Sequence, residues 1–270
     1  SGAGANVDSS SGVVTLMNNT FAGNSGSSGG GTFARSFSNA VILTNNTFIS
    51  NSAGDGEGGG AYVGSLSGIA TLTNNTFTGN SSGVGGGALV YLYDDTAQVN
   101  VYNNIFWNDV ADGGGNDGDD LVVFSDLDFN GKGSPVRLFN NDFSGNADFS
   151  TGQSEDLVVT DIDNYTHGNN IQADPVFADP EAGDVHLRSG SRAINAGTNS
   201  APSLPSTDFE GDPRISDGTV DMGVDEYRKR GAPSIPTMNA LGIIIFMVLV
   251  GAGSVYRLRR RKREEGETRA

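Results

Sequence analysis

The stretch TLTNNTFTGNSSGVGGGAL, from Thr71 to Leu89, contains three words, NNTF, N and GGGA, that return along the chain. They occur in the same order from Thr15 to Phe33 and from Ile42 to Tyr62, and in a looser form from Asn100 to Asp117. A period of about 28 residues indicates stacked supersecondary units. The first Asn of successive NN pairs recurs after 27, 29, 29 and 37 residues, at Asn18, Asn45, Asn74, Asn103 and Asn140.

Each unit is predicted to consist of short β-strands. The runs GVVTLMNN, AVILTNN, IATLTNN and AQVNVYNN alternate along their length and are rich in Val, Ile, Thr and Asn, whereas helical repeats would carry Ala, Leu, Glu and Lys. The runs GGTFARSF, GGAYVGSL and GGALVYLY predict a second strand in each unit. Two or three such strands make each unit one rung of a solenoid, whose strands bond to the rungs above and below.

Stacked rungs place equivalent residues on top of one another, which explains the repeated words. We expect an internal aromatic column and an Asn ladder. The predicted column is Phe21, Phe48, Phe77, Phe106 and Phe143, and the predicted ladder includes Asn18, Asn45 and Asn74. Asn24, Asn51, Asn80 and Asn146 are predicted to mark the next corner, and the triplets 29–31, 58–60 and 85–87 a turn where Cβ atoms would crowd.

The words FAGN, FISN, FTGN and FSGN, together with GGGA, resemble the FxxN and GGA(I/L/V) repeats of polymorphic outer-membrane proteins. The resemblance covers roughly residues 12 to 146. It implies that the fold is a right-handed parallel β-helix, an all-β solenoid.

The period stops after residue 168, and residues 169–227 have a different composition. The runs NIQADPVFADPEAGDVHLRSGSRAINAG and DFEGDPRISDGTVDMGVDEY resemble the C-terminal region of choice-of-anchor Q β-helix proteins of bacterial surfaces. A solenoid needs a terminal cap so that its last rung does not expose a free strand edge. We expect residues 169–227 to be that cap.

The end of the chain carries an uncharged apolar run, residues 240–256, followed by a basic cluster. Seventeen residues in a helix span roughly 25 Å, enough for a thin bilayer. The basic residues predict a cytoplasmic C-terminus, with the rest of the chain outside the inner membrane. The alternative, a buried core helix, would require a polar stripe that the run lacks. The cluster comprises Arg257, Arg259, Arg260, Arg261, Lys262 and Arg263.

The same region resembles the IPTL-type C-terminal sorting signals of Gram-negative bacteria. Ile235, Pro236 and Thr237 match, and Met238 stands where Leu is usual. The resemblance implies that an exosortase-like membrane protease recognises the motif and removes or exchanges the tail. The predicted organisation is a β-helix over 1–168, a cap over 169–227, a linker over 228–234 and a sorting signal over 235–263. Since the chain begins within a repeat, we expect further rungs and an export signal upstream.

Composition agrees with export and argues against nucleic-acid binding. The chain has no Cys, so it can form neither disulfides nor thiolate metal sites. Only six basic residues precede Arg228, against 29 acidic residues in the part of the chain before Glu264. Such a protein would repel nucleic acids and anionic membranes.

The sequence contains two candidate chemical sites. Asp112, Asp117, Asp119 and Asp120 lie in an acidic Gly-rich loop that would suit Ca²⁺, or would simply be a solvated turn. Asp126 and Asp128 would face the same way on a strand and could act as the acid and base of a polysaccharide hydrolase or lyase. No Arg or Lys lies beside them in the sequence, as lyases of this fold commonly require.

The sequence therefore predicts a cell-surface or secreted β-helix that binds glycans or other cell surfaces as an adhesin. A carbohydrate-active enzyme of the pectin-lyase-like fold is the alternative. Repeated Thr, Asn, Ser and Tyr side chains offer hydrogen bonds and aromatic platforms without a reaction centre. No cofactor is required for this function.

Overall fold

The computed structural model describes residues 4–94, 96–114, 117–125, 134–160 and 164–228 of the 270-residue chain. These residues wind into a right-handed parallel β-helix with three parallel sheets of six strands each. Within every sheet the strands follow chain order, so each strand pairs with its equivalents in the neighbouring rungs. The parallel β-helix predicted from the repeat is confirmed.

Each rung contributes one strand to each sheet. Sheet A contains the strands that follow the Gly-rich turns, namely Ala5–Ser9, Thr32–Ser36, Ala61–Ser65, Ala88–Leu92, Leu121–Ser125 and Leu157–Val159. Sheet B contains those that precede the NN pairs, namely Val14–Met17, Val41–Thr44, Ile69–Thr73, Gln98–Tyr102, Val136–Phe139 and Tyr165–Gly168. Sheet C contains Thr20–Ala22, Thr47–Ile49, Thr76–Thr78, Ile105–Trp107, Asp142–Phe143 and Ile171–Gln172. A short parallel pair, Ser81–Ser82 with Val110–Ala111, lies at the following corner.

The interior of the solenoid is filled by the Phe column and by aliphatic residues of sheets A and B. Ring centroids are 4.5 Å apart for Phe48 and Phe77 and 4.8 Å apart for Phe77 and Phe106, with the planes nearly parallel. These separations match the strand spacing of a sheet, about 4.8 Å. Phe143 ends the stack, and Phe149 packs edge-on against it at 5.5 Å.

The NN pairs form the corner between sheets B and C, and the two residues of each pair have different roles. The first Asn is left-handed, with φ of 56° at Asn45 and 53° at Asn74. The second is buried and forms the ladder, since Asn75 Nδ2 donates to Asn104 Oδ1 at 3.0 Å and to Leu43 O at 2.9 Å. The same pattern links Asn19, Asn46, Asn75, Asn104, Asn141 and Asn170.

The ladder expected at Asn18, Asn45 and Asn74 therefore lies one residue later at each corner. The first Asn provides the turn, and at Asn45 its amide points away from the core to donate to Thr207 O at 2.7 Å. Asn103 Nδ2 does approach Asn74 Oδ1 at 3.3 Å, so part of the outer column also interacts.

A second buried ladder follows the FxxN words. Asn24 Nδ2 donates to Asn51 Oδ1 at 2.9 Å, and Asn51 Nδ2 to Asn80 Oδ1 at 2.9 Å. The Gly triplets lie next to it, and the third Gly allows close packing. An ideal Cβ at Gly60 would be 2.5 Å from Gly87 O and 2.9 Å from Phe77 Cδ1, so a larger residue would displace the Phe column.

Residues 173–228, which we call the lateral segment, pack along the side of the solenoid. Asn74 Nδ2 donates to Asp221 O and Gly223 O, Asn103 Nδ2 to Thr198 O, and Asn140 Nδ2 to Ala196 O. The segment contains an antiparallel pair, Phe177–Asp179 with Asp184–Leu187, joined by a 3-10 turn, Pro180–Ala182. It shares a second apolar core with the outer side of sheet C, centred on Ile49, Ile105, Val185, Met222 and Val224.

The cap expected from residues 169–227 thus differs in two respects. Ile171–Gln172 still belongs to sheet C, so the solenoid runs past residue 168. The described hydrogen bonds between the segment and the solenoid instead involve the first Asn of several corners, along the side of the solenoid. At the end of the core, Phe149 and Tyr165 pack against the last buried residues. Residues 169–227 contain no repeat, so their sequence did not indicate which surface they would cover.

Candidate functional site

The outer face of sheet A carries aromatic residues at positions that alternate with the core. In each strand the second and fourth residues point outward, because the first, third and fifth face the interior. Outward columns formed in this way are usually polar on a solvated sheet. Here the outward positions hold Phe33, Tyr62, Leu89, Val122 and Val158 in one column, Asp8, Arg35, Gly64, Tyr91 and Phe124 in the next, and Phe37, Leu66 and Tyr93 beyond the strand ends.

We call these residues the sheet A face. Phe33 and Tyr62 stack with ring centroids 4.8 Å apart, and Tyr91 and Tyr93 lie 4.3 Å apart and tilted. Phe37 is 39% exposed and Leu66 is 36% exposed. Tyr62, Leu89, Val122 and Val158, by contrast, are buried in an apolar cluster of their own, against which Phe33, Tyr91 and Phe124 pack partly buried. The exposed rim of such a cluster is an apolar surface of the kind that contacts ligands or partners.

Gly64 stands at the outward position between Arg35 and Tyr91, and its lack of a side chain leaves room for Arg35. An ideal Cβ at this position would lie 3.0 Å from Arg35 Cγ and 3.3 Å from Tyr62 Cε1. The missing side chain lets Arg35 and Tyr62 lean towards each other from the two flanking positions. The sequence signal for this was present, as GSL in the second repeat replaces RSF and YLY in the others.

Polar groups run across the aromatic face. Arg35 forms an ion pair with Asp8 at 2.6 Å, and its guanidinium lies 4.5 Å from the centroid of the Phe37 ring. The hydroxyls of Tyr62 and Tyr93 are 2.8 Å apart. Burial, followed by the hydrogen bond with Tyr93, raises the pKa of Tyr62, so this phenol stays neutral and can donate or accept at physiological pH. The face therefore combines flat apolar rings with hydroxyl and guanidinium groups.

The strands that carry these side chains were predicted from the sequence, but the side chains themselves were not. Binding was predicted from repeated Thr, Asn, Ser and Tyr residues in general. The available signal was the aromatic residues at alternate positions of GGTFARSF, GGAYVGSL and GGALVYLY.

The acidic loop proposed for Ca²⁺ sends its carboxylates in different directions. Asp120 is fully buried and accepts hydrogen bonds from the backbone N and the hydroxyl of Ser144, while Asp119 accepts from Ala111 N at 2.7 Å. Asp112 is exposed, and one oxygen of Asp117 is buried without a hydrogen-bond partner. In the described ranges, no three of these four carboxylates bring ligand oxygens within 4.8 Å of one another. Calcium binding here stays a prediction from sequence.

Asp109 is a buried carboxylate that was not predicted as a site residue from the sequence. It stands in the FxxN register of its rung, and its Oδ1 accepts from Asn80 N at 2.7 Å and from Asn80 Nδ2 at 2.8 Å. Its Oδ2 is buried with no hydrogen-bond partner. Burial raises the pKa of Asp109 well above its ordinary value, against the effect of the Asn80 hydrogen bonds, and burial together with Asp109 does the same for Asp120.

Several predicted residues lie outside the described part of the chain. These are Asp126 and Asp128, the sorting motif Ile235, Pro236, Thr237 and Met238, and the apolar run with its basic cluster. Among the residues that are described, no helix is long and apolar enough to cross a membrane.

Comparison with known proteins agrees with the fold. The family model described as "Right handed beta helix region" matches residues 1–113. No curated protein and no solved structure shows significant similarity to the chain. The family match and the three parallel sheets together identify a right-handed parallel β-helix, a fold found in many cell-surface and pectin-lyase-like proteins.

Proposed function

We propose that this protein is a bacterial cell-surface or secreted β-helix that binds glycans through the sheet A face. The observation that carries the proposal is the group of aromatic side chains on the outer side of sheet A, of which Phe33, Phe37, Tyr91 and Phe124 are at least partly exposed. Phe33, Tyr62, Tyr91 and Phe124 are its centre.

The chemistry of the face suits a sugar chain. The apolar side of a pyranose ring packs on an aromatic ring, while its hydroxyls need donors and acceptors at the edge. Tyr62, Tyr93 and Arg35 supply such groups beside the rings. Because the rungs repeat about every 4.8 Å, rings of neighbouring rungs lie side by side along the solenoid. A row of this kind favours weak contacts that add along an extended ligand.

Adhesion accounts for these features without a reaction centre. A catalytic site needs a few groups held in different environments within one cleft, whereas the sheet A face distributes its rings and polar groups over several rungs of one sheet. Asp126 and Asp128 remain the carboxylates on which the enzymatic alternative depends.

The binding proposal is tested with purified full-length chain and polysaccharides of neutral and acidic type. We expect retarded migration in gels that contain a bound polysaccharide, and no release of reducing ends or unsaturated products, with or without Ca²⁺. Turnover that disappears in Asp126→Asn or Asp128→Asn would overturn the proposal in favour of a lyase or hydrolase.

Export and anchoring form the second part of the proposal. The likeness to choice-of-anchor Q proteins and to IPTL-type signals supports a precursor that spans the inner membrane once through residues 240–256. An exosortase-like protease would then process it near the motif Ile235, Pro236, Thr237 and Met238. The acidic composition before Arg228 is consistent with exposure on the outside.

Processing of the tail predicts which peptides survive on the cell surface. Mass spectrometry of surface-extracted protein should recover peptides from residues 134–228 and none from residues 241–257, because cleavage near Thr237 removes the apolar run. Whole-cell protein from a strain without the protease is the control and should contain both regions. Tail peptides in the surface fraction of the normal strain would contradict processing.

A further inference from the structure

Four polar side chains of the lateral segment converge at a place where no function has been assigned. His186 lies on the strand Asp184–Leu187, and both of its ring nitrogens face carboxylates. Nδ1 is 2.5 Å from Asp184 Oδ1, and Nε2 is 3.0 Å from Glu210 Oε2. Asp225 completes the group, since one ligand atom each from His186, Glu210 and Asp225 lies within 4.8 Å of the others.

The cluster carries more negative charge than His186 can balance. Three carboxylates surround one imidazole, so a net charge of about −2 remains even when the ring is protonated. Asp208 also lies nearby, and part of this charge is offset electrostatically, by Arg188 at Asp184 and by Arg214 at Asp208 and Asp225. The two guanidinium groups donate their hydrogen bonds to backbone carbonyls and to Asn45. Clustered carboxylates beside an imidazole are the ligand set that divalent transition metals prefer.

The three side chains are held in place by their own surroundings. Asp225 is buried, and its Oδ2 accepts from Leu187 N at 2.8 Å, which ties it to the residue next to His186. Glu210 belongs to a tight turn in which Asp208 Oδ1 accepts from the backbone N of Glu210 and of Asp212. The imidazole packs against the ring of Phe209 at 5.2 Å. Each group is therefore oriented before any ligand arrives.

We propose that His186, Glu210 and Asp225 bind a divalent transition-metal ion, with Zn²⁺ as the best match, and that Asp184 orients His186 from behind. In this arrangement His186 Nδ1–H donates a hydrogen bond to Asp184, which leaves the Nε2 lone pair for the metal, as carboxylates do behind many metal-binding His residues. Ligand atoms around tetrahedral Zn²⁺ are roughly 3.3 Å apart. The observed Nε2 to Oε2 distance of 3.0 Å needs only a small adjustment. A water molecule would complete the coordination.

The metal would act as a structural clamp on the lateral segment. It would join the strand Asp184–Leu187 to the turn at Glu210 and to the C-terminal stretch at Asp225. These three pieces together cover the outer side of sheet C, so metal binding would resist detachment of the segment from the solenoid. Ca²⁺ would bind poorly because it prefers six or more oxygen ligands and does not favour imidazole.

The experiment uses full-length protein without a purification tag, first freed of metal with a chelator. Zn²⁺ affinity is measured by competition with a fluorescent chelator, and the melting temperature is recorded with and without Zn²⁺. We expect one Zn²⁺ per chain, a higher melting temperature with Zn²⁺, and no comparable effect of Ca²⁺. The variants His186→Gln and Glu210→Gln should each weaken Zn²⁺ binding by at least about tenfold, and Asp184→Asn by about 10- to 100-fold.

His167→Gln is the matched control, because His167 is the other His in the chain. It should bind Zn²⁺ as the unmodified protein does. Both His186 and Glu210 are partly exposed, so their variants should keep the melting temperature of the metal-free protein. The proposal is overturned if the chain takes up no stoichiometric Zn²⁺, if His186→Gln and Glu210→Gln bind as tightly as the unmodified chain, or if His167→Gln loses binding equally.

Discussion

At the scale of single residues, the two Asn residues of each corner separate two tasks that the same side chain performs well. The first adopts the left-handed conformation, for which Asn has a smaller penalty than most residues. The second extends a buried amide ladder from rung to rung, with each Nδ2 shared between an Asn oxygen and a backbone carbonyl. Both tasks are required in every rung, which explains why the pair recurs with so little variation.

The Phe column should contribute much of the stability of the solenoid. Phe77 is fully buried between Phe48 and Phe106. Replacing Phe77 by Ala leaves a cavity in the middle of the stack and should lower the free energy of unfolding by about 3 to 5 kcal/mol. Denaturant unfolding would measure this. Phe139→Ala, which removes a half-exposed ring outside the core, should cost clearly less, and equal losses in the two variants would contradict an internal column.

Asp109 should make the protein less stable as the pH rises. In the rungs before it, Asn51 Nδ2 donates to Phe21 O and Asn80 Nδ2 to Phe48 O. Asp109 Oδ2 occupies the equivalent position but can donate only when it is protonated. Since burial raises its pKa in the folded state, the folded protein holds the proton more tightly than the unfolded chain, and stability falls as the pH rises from the ordinary value of 3.8 through the raised value.

Asp109→Asn should therefore stabilise the protein at pH 8, by about 1 to 3 kcal/mol, because the amide restores the missing donor. It should also make the melting temperature less dependent on pH above 3.8, because the carboxyl with the raised pKa is no longer present. Asp112→Asn, an exposed residue of the same loop, is the control and should change neither property. A destabilised Asp109→Asn variant at pH 8 would refute this explanation of the buried carboxylate.

At the scale of structural elements, the lateral segment is anchored by a buried cation. Arg214 is 1% exposed, and its guanidinium donates to Gly223 O, Val224 O and Asn45 Oδ1. Burial lowers the pKa of Arg214 to about 10, although the surrounding carboxylates, Glu226 first among them, raise it. The residue is therefore charged at neutral pH and links the segment to the corner Asn of the second rung.

Arg214→Met should detach the segment from the solenoid. The substitution leaves three backbone carbonyls and Asn45 Oδ1 without their donor, and nearby carboxylates without their counter-charge. Removing one partner of such a buried network costs about 3 to 5 kcal/mol. Limited proteolysis should cut the variant within residues 173–228 much faster than the unmodified protein, while Arg192→Met, at an exposed position, should behave normally. Equal cleavage rates for all three proteins would show that Arg214 does not hold the segment.

The sequence predicted the elements that repeat and missed the contacts that do not. NNTF and GGGA specify the rungs because each word satisfies the same local geometry every time. Nothing in NN distinguishes the turn residue from the ladder residue, since both positions favour Asn. Outward apolar residues such as Ile49 and Trp107 are a sequence feature that could have indicated a covered sheet C, but they do not identify the segment that covers it. His186, Glu210 and Asp225 are far apart in sequence, so only the fold brings them together.

At the scale of the whole molecule, the charge distribution favours uncharged or weakly charged ligands. The formal net charge is −16, and much of the acidity lies in loops and in the lateral segment. The sheet A face instead presents rings, hydroxyls and Arg35. The negative field would keep nucleic acids and strongly acidic polymers away, and it would be screened within about 8 Å at physiological salt. We therefore expect neutral glycans to bind better than polyuronates.

The most direct test of glycan binding compares two Tyr variants on a glycan array. Tyr91 lies on the sheet A face, whereas Tyr102 is a similar half-buried ring on the outside of sheet B, stacked on Phe139 at 5.5 Å. The unmodified protein and Tyr102→Ala should retain the same glycans, and Tyr91→Ala should bind them at least about tenfold more weakly, as expected for an aromatic residue at the centre of a binding site. An unmodified protein that retains no glycan, or a Tyr91→Ala variant that binds as the unmodified protein does, would contradict the account.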